Sequence, residues 1–389
     1  MSSPRSETAR HEARARLTAR IALQEMQFAV VKREGGSMAG ESQGTEPWRP
    51  GIKGMARLAA WAGALALILA FLAFGWVEAR HEVRWDAPRD TVRIAVPSTP
   101  HAGLLHIAAA QGYFADEGLD VTISPVSHGK AALDQLALGK VDLASAAEVP
   151  FVISVLQGEA LSVAATVVNA AQDMAIIGRR DRGILAPRDL NHKKVGVSLG
   201  TSGEYFLWAF LIRHRVSPEA ITWVDVAPPH LSKELASGTV DAIATWEPIK
   251  TATMATLGAN AVQFAEGDAY TVTHIIVGRT DYLKAQSTAM QKLLRALLKA
   301  ESLVRTDPVL ARNVVARQLK IAPSALAPLW NELSMRVDLR QSQLVTLEEE
   351  ARWAMARGYA PPGPLPNFLS WFHLDALLAL SPERVTVVR

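Results

Sequence analysis

The sequence predicts two α/β units in series, closed by a run of helices and preceded by one membrane-spanning helix. Three observations carry this. Short β-rich runs alternate with helical segments of about ten residues, first over 91–168 and again over 194–245. After Asp281 the apolar residues recur with a helical period and keep it for most of the remaining chain. Upstream, Leu58–Val77 is an uninterrupted apolar stretch without a charge.

The first unit opens with a strand at Thr91–Val96, a helix at Gly103–Gln111 stopped by Gly112, and a second strand at Asp120–Ser124. A helix at Gly129–Leu138 stopped by Gly139, and strands at Val141–Ala144 and Ser162–Val168 around a helix at Pro150–Leu156, complete it. The plan then restarts with strands at Lys194–Ser198, Ile221–Val226 and Val240–Thr245, and helices at Ser202–His214 and Leu231–Ser237. An internal echo supports a shared plan. Gln135-Leu-Ala-Leu-Gly-Lys-Val-Asp142 and Glu234-Leu-Ala-Ser-Gly-Thr-Val-Asp241 both end a helix at Gly and start a strand at Val-Asp. Asp173–Gly178 and Val272–Gly278 are short, apolar and extended in character, and are expected to cross between two lobes. Helices at Ala285–Val304, Pro308–Leu319, Ala322–Leu333 and Leu344–Ala356 are expected to pack on the first lobe.

Leu58–Val77 is long enough as a helix to cross roughly 30 Å of hydrocarbon. Trp61 and Trp76 sit near its ends, and Arg49, Lys53 and Arg57 precede it. The positive-inside rule puts the segment before it in the cytoplasm and everything after about Glu78 outside. The stretch is either an uncleaved signal anchor or a signal peptide cut after Ala79. The expected organisation is a disordered basic head (1–54), the membrane segment (55–79), a linker (80–90), lobe one (91–175 and 275–389, the latter with the C-terminal helices) and lobe two (176–274).

Composition removes several classes of function. The net charge is +3, and residues 1–57 alone carry ten Lys/Arg against six Asp/Glu. The rest of the chain is therefore close to neutral, with no electrostatic footprint for nucleic acid. The absence of cysteine excludes disulfides, thiolate-bound zinc, iron–sulfur clusters, a cysteine nucleophile and a lipoprotein anchor. No H-E-x-x-H, G-x-S-x-G or P-loop is present, and no catalytic residue, cofactor or metal site is assigned.

Ligands of open α/β sheets sit beyond the carboxyl ends of the strands. That rule selects the loops Pro97–Gly103, Ser127–Gly129, Ser145–Val149, Gly200–Tyr205 and Thr245–Pro248. The candidate binding residues on them are Pro100, His101, Ser127, His128, Ala147, Glu148, Gly200, Thr201, Ser202, Gly203, Glu204, Trp246 and Glu247. Gly200-Thr-Ser-Gly203 follows a strand and opens a helix, where oriented N–H groups suit an anion. His101 and His128 are candidate neutral donors, and Trp246 a candidate pocket wall. Glu148, Glu204 and Glu247 either accept the cationic end of a zwitterion such as taurine or face water. Arg179 and Arg180 are read as solvated.

The run Pro100-His-Ala-Gly-Leu-Leu-His-Ile-Ala-Ala-Ala-Gln-Gly-Tyr-Phe-Ala-Asp-Glu-Gly-Leu-Asp-Val121 resembles the first βαβ of nitrate/sulfonate/taurine-type substrate-binding proteins. Gly139-Lys-Val-Asp142, Asp189–Val197, Gly200–Leu207 and Gly238–Pro248 follow in the same order. The resemblance covers about 91–389. It implies a two-lobed type II periplasmic-binding-protein fold with a helical C-terminal extension, here preceded by one transmembrane helix. It also implies a monomer that passes a small solute to ABC permease and ATPase subunits at the periplasmic face of a bacterial inner membrane. Aliphatic sulfonates and taurine are favoured as the solute, then nitrate or bicarbonate. The alternatives are a membrane-tethered ligand sensor and a synthase or deaminase on the same fold.

Overall fold

The alternating pattern folds into two separate mixed sheets. A computed structural model describes residues 89–265 and 270–388. The basic head, the expected membrane helix Leu58–Val77 and nearly all of the linker lie outside the described residues. Among the described residues, no helix is long and apolar enough to cross a membrane.

In chain order the first half comprises β1 (Asp90–Pro97), α1 (Gly103–Ala110), α2 (Tyr113–Asp116), β2 (Leu119–Val126), α3 (Gly129–Ala137), β3 (Leu143–Ala147), α4 (Glu148–Leu156) and β4 (Leu161–Ala170). The second unit comprises β5 (Ala175–Arg179), β6 (Lys194–Val197), α5 (Ser202–Arg213), β7 (Thr222–Asp225), α6 (Leu231–Ser237), β8 (Ala242–Thr245), α7 (Ile249–Leu257) and β9 (Ala261–Phe264). The chain then returns through β10 (Val272–Arg279), α8 (Thr280–Ala285), α9 (Ser287–Thr306), α10 (Pro308–Leu319), α11 (Pro323–Trp330), β11 (Leu333–Asp338), α12 (Ser342–Ala356) and α13 (Asp375–Leu378).

Sheet one has the order β11-β4-β10-β3-β1-β2 and sheet two the order β7-β6-β8-β5-β9. Each contains a parallel triplet, β2-β1-β3 and β7-β6-β8, flanked by an antiparallel strand, β10 or β5. The internal echo maps onto this symmetry, because the two copies lead into β3 and β8. Their aspartates act identically. Asp142 Oδ2 accepts from Arg93 N at 2.8 Å while Asp142 N donates to Arg93 O. Asp241 Oδ2 accepts from Lys194 N at 3.0 Å while Asp241 N donates to Lys194 O. Each carboxylate thus fastens one strand's start to its neighbour's, satisfying backbone groups that the ladder leaves open. The turns before them need a left-handed glycine, and Gly139 and Gly238 have φ of 67° and 80°.

Two expectations need correction. The extended segments expected as crossovers are interior strands: β5 pairs with β8 and β9, and β10 lies between β3 and β4. The first passage between sheets falls at 171–174, overlapping only the start of the expected segment, and the second lies between β9 and β10. The physical reason is burial, since all of β10 except Arg279 is buried, and a continuous apolar run is the mark of a central strand. The expected helix Ala322–Leu333 ends at Trp330, and Leu333–Asp338 is a strand on the edge of sheet one, paired with β4. Its alternation of buried Leu333, Met335 and Val337 with exposed Ser334 and Arg336 is a period-two pattern.

The C-terminal helices extend the lobe built on sheet one. α9 buries Leu293, Leu294 and Leu297, each contributing about 1.5–3 kcal/mol by removal from water. α12 sets Trp353 and Ala354 against Val149 and Ile153 of α4. The last residues of α12 and the turn after it therefore travel with lobe one.

Candidate functional site

The two parallel triplets point their carboxyl ends at each other, and a cleft opens between them. Lobe one contributes Thr99 and His101 after β1, His128 to Lys130 after β2, Ala147 at the end of β3, and His274 from β10. Lobe two contributes Thr201 and Ser202 at the start of α5 and Trp246 after β8. The floor is Asp173 and Met174, from the first passage between the sheets. The water-sized space enclosed is about 40 Å³, room for roughly three waters at about 10–15 Å³ each.

A buried polar cluster lies in this wall. His101 Nε2 is 2.9 Å from Asp173 Oδ1, and both side chains are only 1% exposed. The His101 ring stacks on His274 with centroids 4.4 Å apart and planes within 10°. Burial, then the charge of His101, pushes the His274 imidazole well below the usual histidine range. His128 is also pushed down, by burial and then by Lys130. Asp173 Oδ1 additionally accepts from Glu247 N at 3.3 Å. Asp173 Oδ2 and His274 Nδ1 are buried without a hydrogen-bond partner. Trp246 closes one side, its indole lying on Gly203, where an added Cβ would stand 3.0 Å from Cζ3.

Of the residues selected from sequence, His101, His128, Ala147, Thr201, Ser202 and Trp246 line the cleft. Ser127 stands behind it, its Oγ 2.8 Å from His128 Nδ1. Gly203 supports Trp246. Pro100 and Glu247 face a different groove, on the far side of the first passage, beside α7 and α11.

The three glutamates, expected either to accept a cationic end or to face water, are buried, and each has partners within the chain. Glu247 binds Lys250 Nζ at 3.1 Å and accepts from Thr251 Oγ1 at 2.9 Å. Glu148 accepts from Thr273 N at 2.8 Å and from the Tyr270 hydroxyl, which also reaches Glu350 Oε1 at 3.4 Å. Burial pushes the Glu148 carboxyl up to about 7. Burial and the neighbouring Glu148 push Glu350 well above the usual carboxylate range.

Glu204 closes the two lobes on each other. It accepts from Gly200 N at 2.7 Å, from Arg357 Nε and Nη2 at 3.2 and 3.1 Å, and from the Tyr359 hydroxyl. Arg357 also lies 4.5 Å over the Trp223 ring of lobe two. The start of α5 is therefore partly spent on internal bonds: Gly200 N on Glu204 and Gly203 N on Thr201 Oγ1. That removes two of the donors expected to meet an anion. Arg179 and Arg180 sit away from the cleft, bonded to Asp181 and to carbonyls of lobe two.

Sequence reasoning missed Asp173, Met174 and His274 as lining residues. The signal was present in their position on the segments expected to run between lobes, but the strand-tip rule does not select such segments.

Two lobes, each with a parallel triplet, joined by two passages around a polar cleft, define the periplasmic-binding-protein fold. The chain belongs to the NMT1/THI5-like family, whose profile matches residues 98–311, more than half of it. A curated relative from Brucella abortus, provisionally named a binding protein, is 23% identical over 63% of this chain and 75% of its own length. Three solved structures share the fold. The alkanesulfonate-binding protein SsuA of Xanthomonas axonopodis pv. citri, bound to MOPS, is 20% identical, with a TM-score of 0.62 over 71% of this chain and 96% of its own. The periplasmic nitrate-binding protein NrtA of Synechocystis PCC 6803 is 15% identical, with a TM-score of 0.60 over 76% and 90%. The desulfurization enzyme DSZB is 17% identical, with a TM-score of 0.58 over 75% and 99%. The fold therefore hosts both binding proteins and an enzyme.

Proposed function

We propose that this chain is the substrate-binding component of an ABC importer, capturing a small polar or anionic solute between its lobes. The observation that carries the reading is the cleft itself. Its walls come from both lobes and its floor from the passage between them, so a bound solute touches everything that must move on closure. The cavity suits a small molecule. Aliphatic sulfonates and taurine come first as candidates, then nitrate and bicarbonate, because binding proteins named for alkanesulfonate and nitrate share the fold. The closed monomer would dock on permease and ATPase subunits at the periplasmic face of a bacterial inner membrane. Leu58–Val77 would serve as its tether, or as the signal that exports it.

The test is a thermal-shift screen of the full chain against sulfonates, taurine, nitrate and bicarbonate. Mass spectrometry of the recovered solute accompanies it. A solute at a hundred times its dissociation constant adds about 2.7 kcal/mol and is returned intact. No shift with any member refutes this solute class. Consumption of the solute favours the enzyme reading, which the DSZB likeness and the buried His101–Asp173 pair keep in play.

A further inference from the structure

We infer that the solute carries a protonated amine, or an equivalent group of N–H donors, and that Asp173 is the residue that selects it. The inference rests on the proposed solute-capture reading and names the chemical class within it.

The first argument is an unfilled acceptor. Asp173 is 1% exposed and lines the cavity. Its Oδ1 already accepts from His101 and from Glu247 N, while Oδ2 has no partner. A buried carboxylate oxygen left unpaired is strongly unfavourable, and a donor on a bound solute would relieve it.

The second argument is that, among the described residues, no cation pairs with Asp173 Oδ2. Among the described residues, no arginine lines the cleft. Lys250, the lysine nearest along the chain to this floor's partner Glu247, donates to Gln172 O at 2.7 Å and pairs with Glu247. Lys130 stands at the rim, 42% exposed and facing Asp134 at 3.3 Å. Burial drives His274 and His128 toward their neutral forms. The His101 imidazole meets Asp173 at Oδ1 and leaves Oδ2 open. A lone anion such as nitrate could meet Lys130 and the start of α5 but would leave Asp173 Oδ2 without a donor and lie close to its carboxylate. A zwitterion fits both ends: its cationic group meets Asp173 Oδ2, and its anionic group meets Lys130 and the start of α5 at Thr201 and Ser202.

Calorimetry on the full chain tests this with three probes: taurine, ethanesulfonate (the same carbon skeleton without the amine) and nitrate. Wild type should bind taurine at least tenfold more tightly than ethanesulfonate. Asp173→Asn should weaken taurine at least tenfold and leave ethanesulfonate unchanged or tighter. The wild-type preference needs no variant, so a misfolded Asp173→Asn does not blunt the test. Ethanesulfonate or nitrate binding as tightly as taurine overturns the inference alone, as does a folded Asp173→Asn that keeps the preference. Failure of all three probes to bind overturns the proposed solute class and the inference with it.

Discussion

Replacing Glu350 by Gln should stabilise the protein, and the gain should grow as the pH rises. Glu350 is fully buried, beside Glu148 and the Tyr270 hydroxyl. Burial and the Glu148 charge hold it protonated in the folded state, well above the range where an unfolded glutamate ionises. From about pH 5 upward the unfolded chain has released this proton and the folded chain has not. The folded state then binds the extra proton, so stability falls as pH rises, by about 1.4 kcal/mol per pH unit for one proton. The loss continues for as long as the folded group keeps its proton. Glutamine copies the protonated acid in shape and still donates an N–H toward Glu148, yet it has no proton to lose.

Histidines 106, 128 and 274, pushed down mainly by burial, run the other way. Their folded forms bind fewer protons, and their contribution rises with pH through the usual histidine range. The readout is therefore the difference in melting temperature between Glu350→Gln and wild type at each pH. A folded body of about 300 residues has an unfolding entropy near 0.6 kcal/mol/K, so the loss over one pH unit, about 1.4 kcal/mol, corresponds to roughly 2 °C. The difference should be small at pH 5 and larger at pH 8, growing by roughly 2 °C for each pH unit over which the folded group keeps its proton. A difference that is flat across this range, or that shrinks, refutes the claim that Glu350 is folded with its proton on.

Arg357→Ala should loosen the lobes. It strips the guanidinium from Glu204, which is 1% exposed, while Arg357 itself is 28% exposed. A loss of about 2 kcal/mol is expected, below the 3–5 of a fully buried pair. Small-angle scattering should show a larger radius of gyration, and solute affinity should fall by up to about 30-fold; unchanged scattering and affinity would count against Glu204–Arg357 as a latch. Gly129→Ala should lower stability by about 1–3 kcal/mol, because its Cβ would stand 2.8 Å from Ala146 Cα and 3.0 Å from Ala147 N. A wild-type denaturant midpoint in this variant would show that α3 and β3 separate easily. Asp241→Ala should destabilise lobe two by about 0.5–1.5 kcal/mol through loss of the exposed bond to Lys194 N, and Asp142→Ala should do the same to lobe one. Hydrogen exchange confined to the matching lobe is the check, and protection lost equally in both would refute the repeat.

Most of the fold was legible because it is written in local period. The echo over Gln135–Asp142 and Glu234–Asp241 even announced that β3 and β8 hold equivalent places, since the same glycine turn and aspartate clamp serve both. What local period cannot carry is pairing between distant stretches. β5 and β10 looked like connectors because each is short and apolar. Each is in fact inserted antiparallel beside the other half's parallel triplet only after the chain has crossed over. β11 was hidden for a related reason. Pro323 signals a helix start, and nothing local marks where that helix yields to a strand whose partner, β4, lies some 160 residues earlier.

The site divides along the same line. Strand tips are a local property, and they led to His101, His128, Thr201, Ser202 and Trp246 at the cleft. Which acid stays unpaired is a property of the whole chain. Glu148 is quenched by Thr273 and Tyr270, and Glu204 by Arg357 and Tyr359, partners more than a hundred residues away. Glu247 is quenched within its own helix turn. Asp173 attracts no notice in sequence, yet it is the carboxylate that keeps a free oxygen in the wall of the cavity. In a two-lobed protein the passages between lobes are the one part of the chain obliged to run under the solute. A residue there touches ligand and hinge together, so selection of the solute and the drive to close can share a single side chain.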